Sequence, residues 1–218
     1  AKDYWQGYLK GYDDIVELPW RKQKAKDYVM GEKIISLGVE LSALLANMAS
    51  QESTTLNNVF QAVWGLVLAR LTGVGDVAFG TIVSGRQTQL TGIEDIVGLF
   101  INAVPVRILP TNDKTILELI TEVQANMAAS FDYQYLPLAD IQQVSRLGRE
   151  LFDHLLIFEN YTVGSDDGEG SATQDNLQFS ELKAHDLTHY DLNLIVIPGD
   201  VLEIRVTWNA DVFDATAI

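Results

Sequence analysis

The stretch Val77–Leu109 constrains the fold most, because it joins two strand-like runs through a connector that is too polar for a core. The first run, Val77–Val83, is apolar, rich in β-branched residues and of strand length. The second run begins at Ile96 and ends in an alternating pattern. The residues that this pattern predicts on one face are Val104, Val106 and Ile108. The stretch therefore predicts a strand, a loop and a second strand.

Glycines and polar side chains interrupt both of these runs. The glycines are Gly80, Gly85 and Gly98, and the polar residues at the ends of the runs are Ser84, Arg86 and Asn102. Glycine weakens a strand unless another group must approach the backbone, and a buried guanidinium needs a partner. Two interpretations follow. Either Arg86 anchors the loop onto a carboxylate or carbonyl groups and the glycines mark bends, or the segment lines a channel for a ligand.

Strand-like and helix-like patterns alternate through the rest of the chain. Helices are predicted over 1–9, 41–49, from 53–55 to Gly73, over 116–127 after a capping-box pattern at Thr115 and Glu118, and over 138–144; strands are predicted over 29–37, 151–160, 190–197 and 201–208. This order predicts an α/β protein: a two-layer sandwich in which helices cover one face of a mixed sheet. Residues 162–176 are acidic and rich in Gly and Ser, which predicts a mobile surface loop.

Composition excludes several classes of function. The 218 residues carry a formal net charge of −15, which argues against nucleic acids and anionic membrane surfaces as partners. The absence of cysteine excludes disulfides, zinc–thiolate sites and a cysteine nucleophile. No apolar run is long enough to span a bilayer, and we expect a cytoplasmic protein.

Two motifs in the constraining stretch resemble those of nonribosomal peptide synthetase condensation domains. These domains share the fold of chloramphenicol acetyltransferase. The first motif is the SGR sequence at 84–86. The second follows a VGxFxNxLPxR-like pattern, and the matching residues are Val97, Gly98, Phe100, Asn102, Pro105 and Arg107. The resemblance implies a chloramphenicol acetyltransferase-like α/β lobe.

Further matches extend the resemblance over nearly the whole chain, from about Tyr4 to Phe213. The N-terminal pattern uses Tyr4, Trp5, Leu9, Gly11, Leu18 and Pro19, and a later motif uses Arg149, Phe152, Glu159 and Asn160. Near the middle, Gln134 and Pro137 match an HQxxPF-like motif, while Tyr133 replaces its histidine and Leu138 its phenylalanine. By this resemblance, residues 1–218 correspond to the C-terminal subdomain of a condensation domain.

The resemblance implies a function that these residues perform together with others. Condensation domains join two thioesters, each carried on the phosphopantetheine arm of a carrier protein, in a tunnel between two lobes. The family's catalytic HHxxxDG motif belongs to the N-terminal lobe and is absent here, so we expect this chain alone to be inactive. The residues implied near the tunnel are Ser84, Gly85, Arg86, Gly98, Phe100 and Asn102. The implied partners are the N-terminal lobe, carrier proteins and an adjacent adenylation domain, with no cofactor bound directly.

The three histidines do not form a catalytic pattern. His154 sits within the predicted strand 151–160, where we expect a core or surface histidine rather than a base. His185 and His189 have HxxxH spacing, which suits a metal on a helix. On a strand, however, they would lie about 13 Å apart, so we predict no metal site. Alternatives within the resemblance are a non-catalytic carrier-recruitment module and a heterocyclisation or epimerisation relative.

Overall fold

Six strands form one mixed sheet at the centre of the protein. The computed structural model describes residues 1–22, 28–86, 91–111, 113–159 and 188–218. The strands are β1 (Met30–Ser36), β2 (Val77–Val83), β3 (Asn102–Ile108), β4 (His154–Phe158), β5 (Leu192–Ile197) and β6 (Glu203–Asn209). Their order across the sheet is β1-β6-β5-β4-β2-β3. The β2–β4 and β4–β5 pairs are parallel and the other neighbouring pairs are antiparallel, which confirms the predicted mixed sheet.

The helices begin and end where the sequence supplies caps. They are α1 (Lys2–Tyr8), α2 (Gly38–Gln51), α3 (Leu56–Thr72), α4 (Ile116–Ser130) and α5 (Leu138–Val144). The Thr55 side chain accepts from the third amide of α3, and Gly73 ends that helix at φ 74°. Thr115 and Glu118 form the predicted capping box of α4.

The three long helices form a layer on one face of the sheet. Gly65 of α3 lies so close to Ile108 of β3 that an added Cβ would sit 2.7 Å from that side chain. Helices α2 and α4 pack against α3. Because side chains alternate along a strand, Arg107 points to the opposite face, where the N-terminal residues Tyr8 and Tyr12 contact it. The predicted helix layer is therefore confirmed, and the N-terminal segment adds a cover on the second face.

Strand β3 is an edge strand, and its proline is compatible with that position. Pro105 pairs with Gly80 of β2, and a residue without an N–H is tolerated at a sheet edge. The Arg107 N–H donates to the Tyr8 hydroxyl at 2.8 Å. Tyr8 thus accepts a hydrogen bond from a backbone N–H on the side of β3 that pairs with no other strand.

Two strands, β3 and β4, begin three or more residues later than predicted. Strand β4 begins only at His154, because residues 148–150 form a 3-10 helix. The Phe152 ring then packs against Gly80, where an added Cβ would lie 2.4 Å from it. Strand β3 begins at Asn102 rather than near Ile96. The predicted loop 162–176 lies outside the described residues.

No helix in the described part of the chain has both the length and the apolar character needed to cross a bilayer.

Candidate functional site

The predicted tunnel residues gather at one edge of the sheet. Strands β2 and β4 run parallel, so their carboxyl ends lie at the same edge, and the antiparallel strand β3 begins there. We call this the upper edge. The described residues that it presents are Ser84, Gly85 and Arg86 after β2, Asn102 at the start of β3 and Glu159 after β4.

The sheet has its fewest paired residues at its centre, between β2 and β4. Two residue pairs link β2 to β4, whereas seven link β2 to β3 and five link β4 to β5. The Thr81 hydroxyl donates to the Leu156 carbonyl at 2.9 Å across this seam. The chain continues from β2 to one side and from β4 to the other, which makes the seam a topological switch point. Open α/β sheets bind ligands outside the carboxyl ends of strands at such points.

Arg86 holds the loop between β2 and β3 together, although the residue is exposed and not buried as its position in an apolar segment suggested. Its Nη1 donates to the carbonyls of Ile93 at 2.7 Å and Ile96 at 3.1 Å. Its guanidinium lies 4.6 Å from the centroid of the Phe100 ring, within the range of cation–π attraction. Arg86 therefore anchors the loop on carbonyl groups, as the first interpretation predicts, and these contacts leave the channel interpretation untested.

Gly85 allows two parts of this loop to cross. Its φ is +66°, and an added Cβ would lie 1.7 Å from the Phe100 carbonyl oxygen. No residue with a side chain fits that space. At Gly98 the restriction is milder, because an added Cβ would lie 3.3 Å from the Phe100 ring.

The residues before β3 expose apolar side chains that sequence reasoning assigned to a strand. Val97 is 99% exposed and Leu99 is 90% exposed, with Ile96 and Ile101 about half exposed. We call residues 96–101 the apolar loop. Periodicity could not identify it, because a short apolar run predicts burial whichever element it forms.

Asn102 joins two of the predicted motifs. Its Nδ2 donates to the carbonyls of Gln134 at 2.8 Å and Leu136 at 2.7 Å. The buried Gln134 side chain donates in turn to the Ser130 hydroxyl at 2.9 Å, and Pro137 is the N-cap residue of α5. The segment after α4 is thereby fixed beside the upper edge.

Tyr133, which stands where the family motif has histidine, takes part in aromatic packing. Its ring stacks on Tyr4 with centroids 4.3 Å apart, and its carbonyl accepts from the Trp5 indole at 3.0 Å. Together with burial, the neighbouring Tyr133 raises the pKa of Tyr4. Tyr133 therefore attaches α1 to the end of α4.

Arg107 lies at the opposite, lower edge and is fully engaged there. Its Nε and Nη2 donate to both carboxylate oxygens of Asp76, at 2.8 and 2.6 Å. Its Nη1 donates to the carbonyls of Tyr8 and Lys10, each at 3.0 Å. The hydrogen bonds to Asp76 raise the pKa of Arg107. Each of the three guanidinium nitrogens therefore has a partner, and the arrangement ties the N-terminal segment to the sheet.

His154 also lies at the lower edge, within a closed polar chain. Its Nε2 accepts from the Trp64 indole at 2.9 Å, and its Nδ1 lies 2.8 Å from Asp153. Arg21 donates to Asp153 and to Asp191, at 2.7 Å each. His154 is 0% exposed. An Nε2 that accepts a hydrogen bond places the proton on Nδ1, so His154 is a satisfied core residue, as predicted.

The remaining predicted residues have structural surroundings. Phe152 stacks on Tyr190 with centroids 5.5 Å apart, Arg149 is exposed, and the Glu159 amide donates to the Val196 carbonyl at 2.9 Å. Asn160 and His185 lie outside the described residues, and His189 is exposed. In the described part of the chain, no three His, Asp or Glu side chains form a group that could hold a metal.

Comparison with known proteins identifies the family. The model of the condensation domain matches residues 1–218, the whole chain. The chain belongs to the condensation domain family. Bacitracin synthase 3 of Bacillus licheniformis is 37% identical over 220 residues, and tyrocidine synthase 3 of Brevibacillus parabrevis is 37% identical over 224. Both matches cover 100% of this chain, but they cover only 4% and 3% of the two relatives.

Solved structures share the fold of this condensation-family chain. The X-domain from teicoplanin biosynthesis has a TM-score of 0.78 and 21% identity, and covers 99% of this chain with 50% of its own. The first condensation domain of the calcium-dependent antibiotic synthetase, in complex with a substrate analogue, has a TM-score of 0.72, 17% identity, and coverage of 99% and 48%. The chain thus spans about half the length of these two structures. The predicted fold class is confirmed.

Proposed function

We propose that residues 1–218 are the C-terminal lobe of a nonribosomal peptide synthetase condensation domain. The lobe would form one wall of the tunnel in which an amine attacks a thioester and an amide forms. The family match over the whole chain carries this proposal. The half-length coverage of two solved structures supports it, since a second unit of similar size would complete the domain.

In this proposal the upper edge is the part of the lobe that faces the tunnel. The seam between β2 and β4 supports this assignment, because open α/β sheets bind ligands outside the carboxyl ends of strands at such a point. Ser84 and Asn102 would supply polar groups beside it, while Arg86, Gly85, Gly98 and Phe100 set the path of the loop. The role of these residues would be to position the substrates, because holding two reactants in the right geometry supplies a large part of the rate enhancement.

The other half of the domain would supply the proton-handling histidine of HHxxxDG. His154 cannot replace it, because it is buried and both ring nitrogens have partners. The apolar loop supports a contact with that half, since Val97 and Leu99 leave apolar surface in water. Phosphopantetheine would arrive on carrier proteins, with an adenylation domain in the same cytoplasmic synthetase.

Amide formation between two loaded carrier proteins tests the proposal, with the product measured by mass spectrometry. We expect the intact condensation domain to form the amide, and residues 1–218 alone to form none. Adding the preceding half as a separate polypeptide should restore product, whereas the same half with its motif histidine changed to alanine should not. Turnover by residues 1–218 alone would contradict the proposed division of labour.

A second candidate function is recruitment without chemistry. The solved X-domain shares this fold, and another structure is a complex of the X-domain and OxyB, an assembly of that protein. A condensation-like domain can therefore bind a partner protein. Calorimetry with carrier proteins separates the two functions, because binding by an intact domain that forms no amide favours recruitment.

A further inference from the structure

A buried polar chain ends helix α4 beside the start of β3, at the upper edge. The Gln134 side chain is 3% exposed, and its Nε2 donates to the Ser130 hydroxyl at 2.9 Å. Ser130 is 4% exposed and is the last residue of α4, where its hydroxyl donates to the Met127 carbonyl at 2.9 Å. The hydroxyl therefore anchors the Gln134 amide on the last turn of α4. Ser130 belongs to none of the motifs recognised in the sequence.

The turn that follows α4 determines the orientation of Asn102. The Asn102 Nδ2 donates to the carbonyl oxygens of Gln134 at 2.8 Å and Leu136 at 2.7 Å. A carbonyl oxygen can only accept a hydrogen bond, so the side-chain amide of Asn102 cannot be reversed here. Because Nδ2 faces the turn, Oδ1, which can only accept, points away from it.

We propose that Ser130 and Gln134 are positioning residues for amide formation and that they act through Asn102. The anchored Gln134 fixes the turn 134–136, the turn fixes the Asn102 amide, and Oδ1 is presented to the tunnel as a hydrogen-bond acceptor. This inference rests on the proposed function, because it takes Asn102 as a tunnel residue.

The position of Asn102 in the sheet explains why such support is needed. Asn102 is the half-buried first residue of β3, and it pairs with Val83 of β2. In the described sheet, β3 is an edge strand with no neighbour on its other side, so the turn after α4 supplies the second constraint. A small misplacement of a group that orients reactants can lower the rate by about a hundredfold.

Ser130→Ala in the intact condensation domain tests the proposal. The substitution removes the acceptor of the Gln134 amide. We expect kcat for amide formation to fall about tenfold, while KM for the loaded carrier protein stays within about twofold, because the group orients reactants that are already bound. Gln134→Met, which removes the amide but keeps a side chain of similar length, should give the same result. Unchanged kcat in both variants would overturn the proposal.

Thr207→Val is the matched control. Thr207 is 8% exposed, and its hydroxyl accepts from the Nδ2 of Asn193, which is 2% exposed, at 3.3 Å. This bond joins the same chemical groups as the bond between Gln134 and Ser130, but it links β5 to β6. We expect kcat of this variant to stay within about twofold of the parent value. An equal fall in kcat for Ser130→Ala and Thr207→Val would overturn the proposal, because general loosening of the fold would explain both.

Asn102→Ala shows whether Ser130 acts through Asn102. We expect this variant to lower kcat by at least about tenfold, and Ser130→Ala to cause no further loss when it is added, because residues that act on one path are not additive. A further tenfold fall in the double variant would overturn the proposal, since Ser130 would then act independently of Asn102.

Hydrogen exchange tests the structural link without catalysis. The amides of Gln134 and Leu136 donate to carbonyls within the turn, so their exchange reports whether the turn opens. We expect the peptide 131–137 to exchange at least about tenfold faster in Ser130→Ala than in the parent or in Thr207→Val. Equal exchange in the three proteins would overturn the proposal. A parent that forms no amide would contradict the proposed function itself, so the two failures are distinguishable.

Discussion

The two edges of the sheet use polar residues in opposite ways. At the lower edge, every side-chain nitrogen of Arg107 and His154 has a hydrogen-bond partner within the chain. At the upper edge, Arg86 satisfies backbone carbonyls of one loop, and that loop turns Val97 and Leu99 into water. A closed polar network stabilises the fold, whereas the exposed apolar side chains of the loop support the contact outside the chain that we propose.

Residues of the same family motif have different roles in the structure. Arg107 and Asn102 belong to one motif and lie at opposite ends of one strand. Arg107 fixes the N-terminal segment, while Asn102 fixes the segment after α4. A family motif can therefore contain residues that never approach the same site.

The largest effect should come from breaking the Arg107 network. In Arg107→Met the free energy of unfolding should fall by about 3 kcal/mol, because Asp76 loses the partner of its half-buried carboxylate. Urea denaturation measures this. Arg146→Met is the control: its pair with Asp13 is exposed, so a change under about 1 kcal/mol is expected. Equal losses in the two variants would show that the lower edge is not a closed structural network.

Gly85→Ala should produce the next largest loss, at the upper edge. The new Cβ would meet the Phe100 carbonyl at a positive φ, and we expect roughly 2–3 kcal/mol of destabilisation, or release of the loop. Gly75→Ala is the matched control, because nothing lies within 4 Å of its added Cβ. Hydrogen exchange of residues 91–101 would show whether the loop or the whole fold opens. Unchanged exchange and stability would contradict the crossing described at Gly85.

Trp64→Phe should cost about 1–3 kcal/mol, because it leaves the buried Nε2 of His154 without a donor. Nitrogen NMR shifts should report the Nδ1–H tautomer of His154 in the parent protein. The opposite tautomer would refute the closed network. Tyr133→Phe provides a comparison in which stacking is kept and no indole donor is lost.

Alkaline pH should destabilise the protein through Tyr190, which precedes β5 at the lower edge. Burial raises the pKa of Tyr190 from 10.0 to about 12. Between these values the unfolded chain loses its proton first, so stability present below pH 10 falls by up to about 1.4 kcal/mol per pH unit. Tyr190→Phe should reduce this slope in pH-dependent unfolding; an unchanged slope would assign the effect to other tyrosines.

The smallest effect on stability should come from the apolar loop. The double variant Val97→Asp and Leu99→Asp should change the free energy of unfolding by less than about 0.5 kcal/mol, since both side chains are already in water. The same variant should lower amide formation by the intact domain. Normal activity would show that the loop makes no contact that the reaction needs.

Most elements could be predicted from sequence because their signals are local. The capping box of α4, the left-handed glycine that ends α3 and the alternation along β6 each depend on residues a few positions apart. The motifs in residues 84–86 and 97–107 identified the family for the same reason. The roles of single residues did not follow, because Asn102 and Gln134 meet only through the turn between α4 and α5.

The sequence by itself determined the fold class, the family and the absence of the paired-histidine motif, since each is carried by local pattern and residue identity. Only the tertiary structure decided which polar residues have hydrogen-bond partners within the chain and which apolar residues are exposed to solvent. Arg86 and Arg107 each stand near the end of an apolar run in the same stretch of sequence. In the structure, Arg107 pairs with Asp76, whereas Arg86 donates to carbonyls of its own loop. That difference depends on partners brought together by the sheet, because hydrogen bonds act over distances of about 3 Å regardless of separation along the chain.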